Sequence, residues 1–567
     1  MQPRPWHRQY DAGVPATLEY DGLPLPDVLA ATIARHGDRV ALCFMGRRQT
    51  WRQLGERVDR LATAMTRMGV TKGSAVAVHL PNLPQTVLSI LATLRCGAHV
   101  VMTNPLYTAR EIEHQWNDSG VTLAVTADFL WARTLAQLAP RIDSLQHTLV
   151  TSIPEALPWP MSWLAQAKLR RQDPPLSAGF EPGERVHAFA ALVRRTPADP
   201  PSVRLSLEDP AAIQYTGGTT GVSKGAVLSH GNLAANSQQV AAWLTPLGGG
   251  PQVVLGALPF FHVFGLSICV LLSARLGSTL VVVPNPRDVG VIIDLIEKHR
   301  ISVLPAVPAM LDAISTRAGI ESRDLTSVRG VFSGSAPLTM DSKRRFEALT
   351  GAAVFEGYGL TETSPVTHVN PVAGENRIGS VGLPLPDTDA RIVDPDDATR
   401  ELPVGEAGEL LLRGPQVMAG YWKRPDETAL VLKDGWFATG DLAVMDDAGW
   451  FSIAGRKKDM IICSGYNVYP DEVDSVLCDH PDVAEACTIG LPDERRGETV
   501  KSFVVARPGA SVDESTLRAH CRENLAAYKV PRSIEFRAEL PRSALMKLLR
   551  RELRAEEIAR RESDLPA

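Results

Sequence analysis

Residues 215–226 read YTGGTTGVSKGA, a run of types that suits one task above others. Glycines 217, 218, 221 and 225 let backbone N–H groups turn inward toward an anion, and the hydroxyls of Thr216, Thr219, Thr220 and Ser223 add donors. Lys224 adds positive charge. The plain alternative is a flexible surface loop, which does not require so many consecutive positions to agree. The segment is not a GxxxxGK[ST] loop, because Ser223 precedes Lys224 and Gly225 follows it. A phosphate cradle is the expectation. Further along, Glu362 is the single acid in GYGLTET (357–363), where a carboxylate would serve a hard divalent cation near phosphate oxygens.

These residues need a frame to hold them. Thr50 and Gln53 form a candidate capping box for a helix whose Val58, Leu61, Ala62, Met65 and Met68 share one face. Short apolar runs at 75–80, 100–103 and 123–126 alternate with helical segments such as 85–94. The pattern recurs as strand, helix and strand over 277–283, 289–299 and 301–307. Such alternation predicts parallel strands covered by helices. Residues 170–209 shift to Pro, Arg, Ser and Gly and read as an irregular surface connector. Residues 382–420 predict short antiparallel strands. After Arg456 the composition changes again, with strands expected at 486–489 and 502–506 and a helix over 514–525.

The chain has 567 residues, beyond the size at which one core stops growing, so two domains of unequal size are expected. A composition 44% hydrophobic and 22% charged is that of a globular protein. A net charge of -5 supplies no general attraction to nucleic acid. The seven cysteines are scattered without CxxC or zinc-type spacing, which fits a reducing cytoplasm. The N-terminal residues lack the apolar core of a signal peptide. The longest apolar stretch, 267–284, is interrupted by Arg275 and Gly277 and reads as core, not as a bilayer span. Peripheral membrane contact, at the inner membrane, and a homodimer both stay open.

The phosphate segment resembles the signature of adenylate-forming enzymes of the acyl-CoA synthetase superfamily. PFFHVFG (259–265), SGSAPL (333–338), EGYGLTET (356–363), GYWKRPDET (420–428), DGWFATGD (434–441), GRKKDMIICSGYNVYPDEVD (455–474) and YKVP (528–531) resemble its remaining motifs in family order. NPLYTAREIEHQWNDSG (104–120), with YTGG in place of YTSG, is most similar to bacterial long-chain fatty-acid–CoA ligases. The expected fold is α/β. A large N-terminal domain (1–456) has α/β subdomains and a small β-barrel-like part, and a small mobile α+β C-terminal domain (457–567) follows a hinge near Lys458.

The resemblance implies ATP, Mg²⁺ and coenzyme A as reactants and cofactors, and a fatty acid as substrate. It puts Tyr215, Thr216, Gly217, Gly218, Thr219, Thr220, Gly221 and Lys224 around the phosphates. Tyr358 stacks on adenine, with Ser335, Ala336, Glu356, Gly357 and Thr361 lining the nucleotide site. Asp441 takes the two ribose hydroxyls, as two acceptor oxygens suit two vicinal donors. Thr216 and Glu362 are the implied metal ligands. Arg456 contacts ribose or phosphate, Lys457 reads as solvated, and Gly465 approaches coenzyme A. The implied catalytic residues are His262, which lines the carboxylate pocket, Thr361, and Lys547 from the small domain.

Two departures qualify the resemblance. Met546 stands where the family pattern has glycine before the lysine, and Leu266 occupies the position of a tryptophan gate found in some long-chain members. The leading reading is activation of a medium- or long-chain fatty acid to acyl-AMP and its transfer to coenzyme A. Alternatives are an acyl-AMP ligase that loads a carrier protein, or a degenerate acyl- or nucleotide-binding sensor in which Met546 displaces its neighbour.

Overall fold

The computed structural model describes residues 4–216, 223–248, 250–463, 466–493, 497–543 and 548–563. An eight-stranded sheet runs in the order Gly420–Tyr421, Lys224–Ser229, Pro210–Thr216, His99–Met102, Ala75–His79, Val121–Ala127, His147–Thr151, Val186–Ala188. From Pro210–Thr216 to the last strand, neighbours are parallel. Pro210–Thr216 and Lys224–Ser229 are antiparallel, with Tyr215 opposite Gly225 and Thr216 opposite Lys224. The phosphate segment therefore joins the two strands of a hairpin at one side of a parallel sheet.

A second, nine-stranded sheet carries Leu383–Pro384, Val366–Val369, Ala353–Gly359, Gly330–Ser333, Val303–Ala306, Val253–Gly256, Thr279–Val282, Val40–Phe44 and Arg47–Thr50. Helix Pro84–Arg95 lies buried from Pro84 to Leu94, and its enclosed polar side chains bond inward, Gln85 Nε2 donating to the Ser152 carbonyl at 3.0 Å and Thr93 Oγ1 to the Ser89 carbonyl at 2.8 Å. Helix Trp51–Arg67 has the predicted capping box: the Gln53 amide donates to Thr50 Oγ1 at 3.2 Å, and the Thr50 amide donates to Gln53 Oε1 at 3.0 Å. Val58, Leu61, Ala62 and Met65 are buried, whereas Met68 caps the helix instead of extending it.

A five-stranded antiparallel sheet follows, built from Asp389–Val393, Gly408–Arg413, Trp436–Met445, Leu432–Lys433 and Phe451–Arg456. A last sheet packs Tyr466–Val468, Ile461–Cys463, Gly497–Ala506, Val483–Asp493 and Ser533–Phe536, with its own buried cluster around Val473, Leu477, Val500 and Leu517.

Two expectations change. Residues 170–209 are not wholly irregular: strand Val186–Ala188 extends the eight-stranded sheet, and helix Phe189–Arg195 buries Phe189 and Val193. Gly277 begins no strand; with φ of 64° it caps helix Leu272–Leu276, and the strand opens at Thr279. The apolar stretch 267–284 is buried core, and among the described residues no helix is long and apolar enough to cross a membrane. All seven cysteines are free.

Candidate functional site

The parallel strands Gly330–Ser333 and Ala353–Gly359 lie side by side, Ser333 opposite Glu356. Crevices beyond the carboxyl ends of such strands are where α/β sheets bind ligands. Here the first strand delivers Ser335 and Ala336, and the second delivers Glu356, Gly357, Tyr358 and the short helix Thr361–Thr363. Ser335 has φ of 73°, a left-handed turn that bends the chain sharply after the strand. Close packing explains the glycines beside Tyr358. A Cβ on Gly357 would strike the Phe332 ring, and one on Gly359 the Pro365 carbonyl.

Tyr358 donates its hydroxyl to Asp441 Oδ2 at 2.6 Å. Asp441 and Arg456 face each other across the hairpin of Trp436–Met445 and Phe451–Arg456, and Arg456 Nε lies 3.1 Å from Asp441 Oδ1. Burial, then the Asp441 charge, raises the Tyr358 pKa, so the phenol stays protonated and donates. Burial opposes the charge of Arg456, but Asp441 and Asp459 outweigh it and the guanidinium pKa is raised.

Glu362 Oε1 accepts the Tyr421 hydroxyl at 2.9 Å, and the Glu362 carbonyl accepts the Met418 amide at 2.7 Å. Burial raises its carboxyl pKa, and its own amide and Tyr421 oppose that rise. Tyr421 also lies under Lys224, whose Nζ is 5.5 Å from the ring centroid and ion-paired with Glu427. Asp441 and Arg456 act electrostatically on Glu362 in turn. A polar seam thus runs from Lys224 through Tyr421 and Glu362 to Asp441, Tyr358 and Arg456. Tyr421 lay within a quoted motif but had no assigned part; its role depends on the pairing of Gly420–Tyr421 with Lys224–Ser229, a long-range contact.

Other candidates have partners of their own. Tyr215 donates its hydroxyl to Asp118 Oδ2 at 2.6 Å, and Asp118 also accepts from Arg424 at 3.0 Å. The Glu356 carboxyl is buried and accepts the Leu338 amide at 3.3 Å, which ties down the loop bearing Ser335 and Ala336. Burial pushes its pKa up to about 8. His262 accepts the Phe264 amide on Nδ1 at 3.2 Å. The preceding loop is clamped by buried Asn82, which donates to Leu258 O at 2.8 Å and accepts from the Phe260 amide at 2.9 Å. Nothing local in the sequence signals Asn82, whose partners lie far along the chain. Lys458 sits in the short helix Lys457–Asp459, where burial and then Arg456 lower its pKa. Lys457 is not merely solvated, since its Nζ is 2.9 Å from Glu409. Gly217, Gly218, Thr219, Thr220, Gly221, Gly465, Met546 and Lys547 lie outside the described residues.

A family model described as AMP-binding enzyme matches residues 29–422, and one described as AMP-binding enzyme C-terminal domain matches 472–547. The chain belongs to the AMP-binding enzyme family. It is 40% identical to a long-chain-fatty-acid–CoA ligase of Bacillus subtilis, over 98% of each chain. It is also 40% identical to one of Escherichia coli O157:H7, over 97% of this chain and 98% of that one. A feruloyl-CoA synthase of Amycolatopsis is 34% identical over 92% and 95%. Among solved structures, ATP-bound MatB from Rhodopseudomonas palustris superposes with a TM-score of 0.82 at 30% identity, over 94% of this chain and 99% of that one. The anthranilate CoA ligase AuaEII, in complex with anthranoyl-AMP, gives 0.84 at 25%, over 96% and 98%. The fold is thus that of adenylate-forming AMP-binding enzymes, with a large N-terminal and a small C-terminal domain.

Proposed function

We propose that this AMP-binding enzyme activates a medium- or long-chain fatty acid and delivers it to coenzyme A. The substrate carboxylate attacks the α-phosphorus of ATP, forming acyl-AMP and expelling pyrophosphate. The thiol of coenzyme A, losing its proton, then attacks the acyl carbonyl; the thioester forms and AMP leaves. No bond to the protein forms, so its work is positioning and charge stabilisation. The observation that carries the reading is the seam from Lys224 to Arg456, which joins two carboxylates, two cations and two tyrosine rings. The aliphatic substrate class rests on the relatives' names.

In this reading Tyr358 offers its ring to adenine opposite Ser335 and Ala336, and Asp441 takes the ribose hydroxyls. Glu362, a hard oxygen donor oriented by Tyr421, and Thr216, opposite Lys224 in the hairpin, would hold Mg²⁺. The ion supplies charge neutralisation on the phosphates when bound. Lys224 and Arg456 add fixed positive charge, and His262 lines the carboxylate pocket. We place the hinge near Lys458, between domains 1–456 and 457–567, so that the small domain brings Lys547 to the carboxylate and then Gly465 to coenzyme A. The enzyme would work in the cytoplasm. Fatty-acid-dependent exchange of pyrophosphate into ATP tests the first step. Exchange that falls with Lys547→Ala supports the ligase; tight ATP binding with no exchange for any acid defeats it and leaves the sensor reading.

A further inference from the structure

The segment NPLYTAREIEHQWNDSG (104–120) holds none of the nucleotide-site residues, yet its helix touches both ends of the phosphate segment. Helix Ala109–Ser119 opens on a capping box: the Glu111 amide donates to Thr108 Oγ1 at 3.4 Å, and the Thr108 amide donates to Glu111 Oε2 at 2.7 Å. Gly120, with φ of 72°, closes it in the left-handed turn that favours glycine. Ile112 and Trp116 are buried among residues of the eight-stranded sheet. Gln115 donates to the Met102 carbonyl and Trp116 to the Thr103 hydroxyl, each at 3.0 Å, so the helix is a fixed body. His114 and Asp118, four residues apart, share another face of it. From that face His114 Nε2 donates to the Ser223 carbonyl at 3.2 Å, and Asp118 Oδ2 accepts the Tyr215 hydroxyl at 2.6 Å. Tyr215 lies on the strand that enters the phosphate segment, and Ser223 directly precedes the strand that leaves it. Burial and then the Asp118 bond raise the Tyr215 pKa, so the phenol stays a donor. Asp118 also holds a second group. Its Oδ1 accepts from Arg424 at 3.0 Å, and its carbonyl, near the helix end where intrahelical N–H groups run out, accepts from the Trp422 indole at 3.1 Å and Lys423 Nζ at 2.8 Å. Those three donors directly follow Tyr421, whose hydroxyl reaches Glu362.

We propose that His114 and Asp118 are positioning residues that brace the phosphate segment at its entry and its exit and so set the grip on the pyrophosphate half of ATP. Asp118 joins that brace to the Tyr421 and Glu362 pair, so the phosphate donors and the carboxylate for the metal are held in one frame. Pre-set donors bind a phosphate chain better than donors that must first be ordered. The proposal rests on the assignment of residues 215–226 to the phosphates. In the same reading AMP, which lacks the two outer phosphates, is held by Tyr358, Asp441 and Arg456 on the other sheets. Loss of the brace therefore weakens ATP and spares AMP, whereas loss of general fold support would weaken both.

The test is calorimetric titration of the full chain with MgATP and, separately, with AMP, neither of which needs turnover. His114→Ala and Asp118→Ala should each weaken MgATP binding about tenfold and change AMP binding by less than about twofold. His114→Gln, which keeps an amide N–H to offer the Ser223 carbonyl, should recover most of the loss. Tyr215→Phe, which deletes only the hydroxyl on Asp118, should also weaken MgATP and spare AMP. AMP binding by each variant guards against misfolding, and in pyrophosphate exchange KM for MgATP should rise while KM for the acid holds. MgATP affinity that ignores these substitutions overturns the proposal. So does an equal loss for AMP, or a glutamine variant no better than the alanine one. Wild-type chain that binds MgATP but exchanges no pyrophosphate with any acid defeats the ligase reading alone, and the titrations still decide the brace.

Discussion

Glu362 and Tyr421 form a pair in which the phenol donates to a carboxylate whose pKa burial raises, the bond opposing that rise. Glu362→Ala should cut Mg²⁺-dependent turnover by about a hundredfold or more while shifting the melting temperature little, measured by steady-state kinetics and calorimetry. Full residual activity would remove Glu362 from the site. Tyr421→Phe keeps the ring under Lys224 and deletes one charge-assisted bond, so KM for MgATP should rise about tenfold with the fold intact. Glu356 tests a different property. Its pKa rises from 4.5 to about 8 on folding, so between those values the folded chain holds a proton the unfolded chain has lost. Stability should therefore fall as pH climbs through that window, and Glu356→Gln should flatten the decline in melting temperature. Glu362 stands out in the sequence as the single acid in its segment, whereas the parts of Tyr358 and Asp441 came only from the resemblance of their motifs. Tyr421 was not announced, because its meaning comes from a strand pairing with residues almost two hundred positions earlier.

At the scale of elements, local chemistry was readable wherever the signal was short-range. The Thr50 and Gln53 box and helix Val289–His299 follow from caps and periodicity. The connector misled because its Pro-rich flanks dominate the composition and hide the apolar stretch that packs as helix Phe189–Arg195. Asn82 shows the opposite limit. A buried amide that joins Gly256, Leu258 and Phe260 serves a loop about 175 residues away. Asn82→Ala should cost about 2–4 kcal/mol in chemical unfolding, since buried loop groups lose partners. It should also raise KM for the acid, because that loop leads into His262.

For the whole molecule, strand and helix alternation made parallel strands covered by helices legible, but not their division into two sheets or the contacts that join the parts. Lys457, expected to be solvated, reaches Glu409 on the antiparallel sheet just where the chain passes toward its last sheet. Glu409→Gln should release that tie and change the thioester-forming rate severalfold while pyrophosphate exchange stays near wild type; equal effects on both steps would deny the junction a role. The central claim concerns the complete reaction. Acyl-CoA, AMP and pyrophosphate should be measured together for saturated acids of six to eighteen carbons and for benzoate. The account predicts equal amounts of all three products and a kcat/KM for the best aliphatic acid about a hundredfold above benzoate. Preference for the aryl acid, or acyl-AMP that accumulates without passing to coenzyme A, would contradict it.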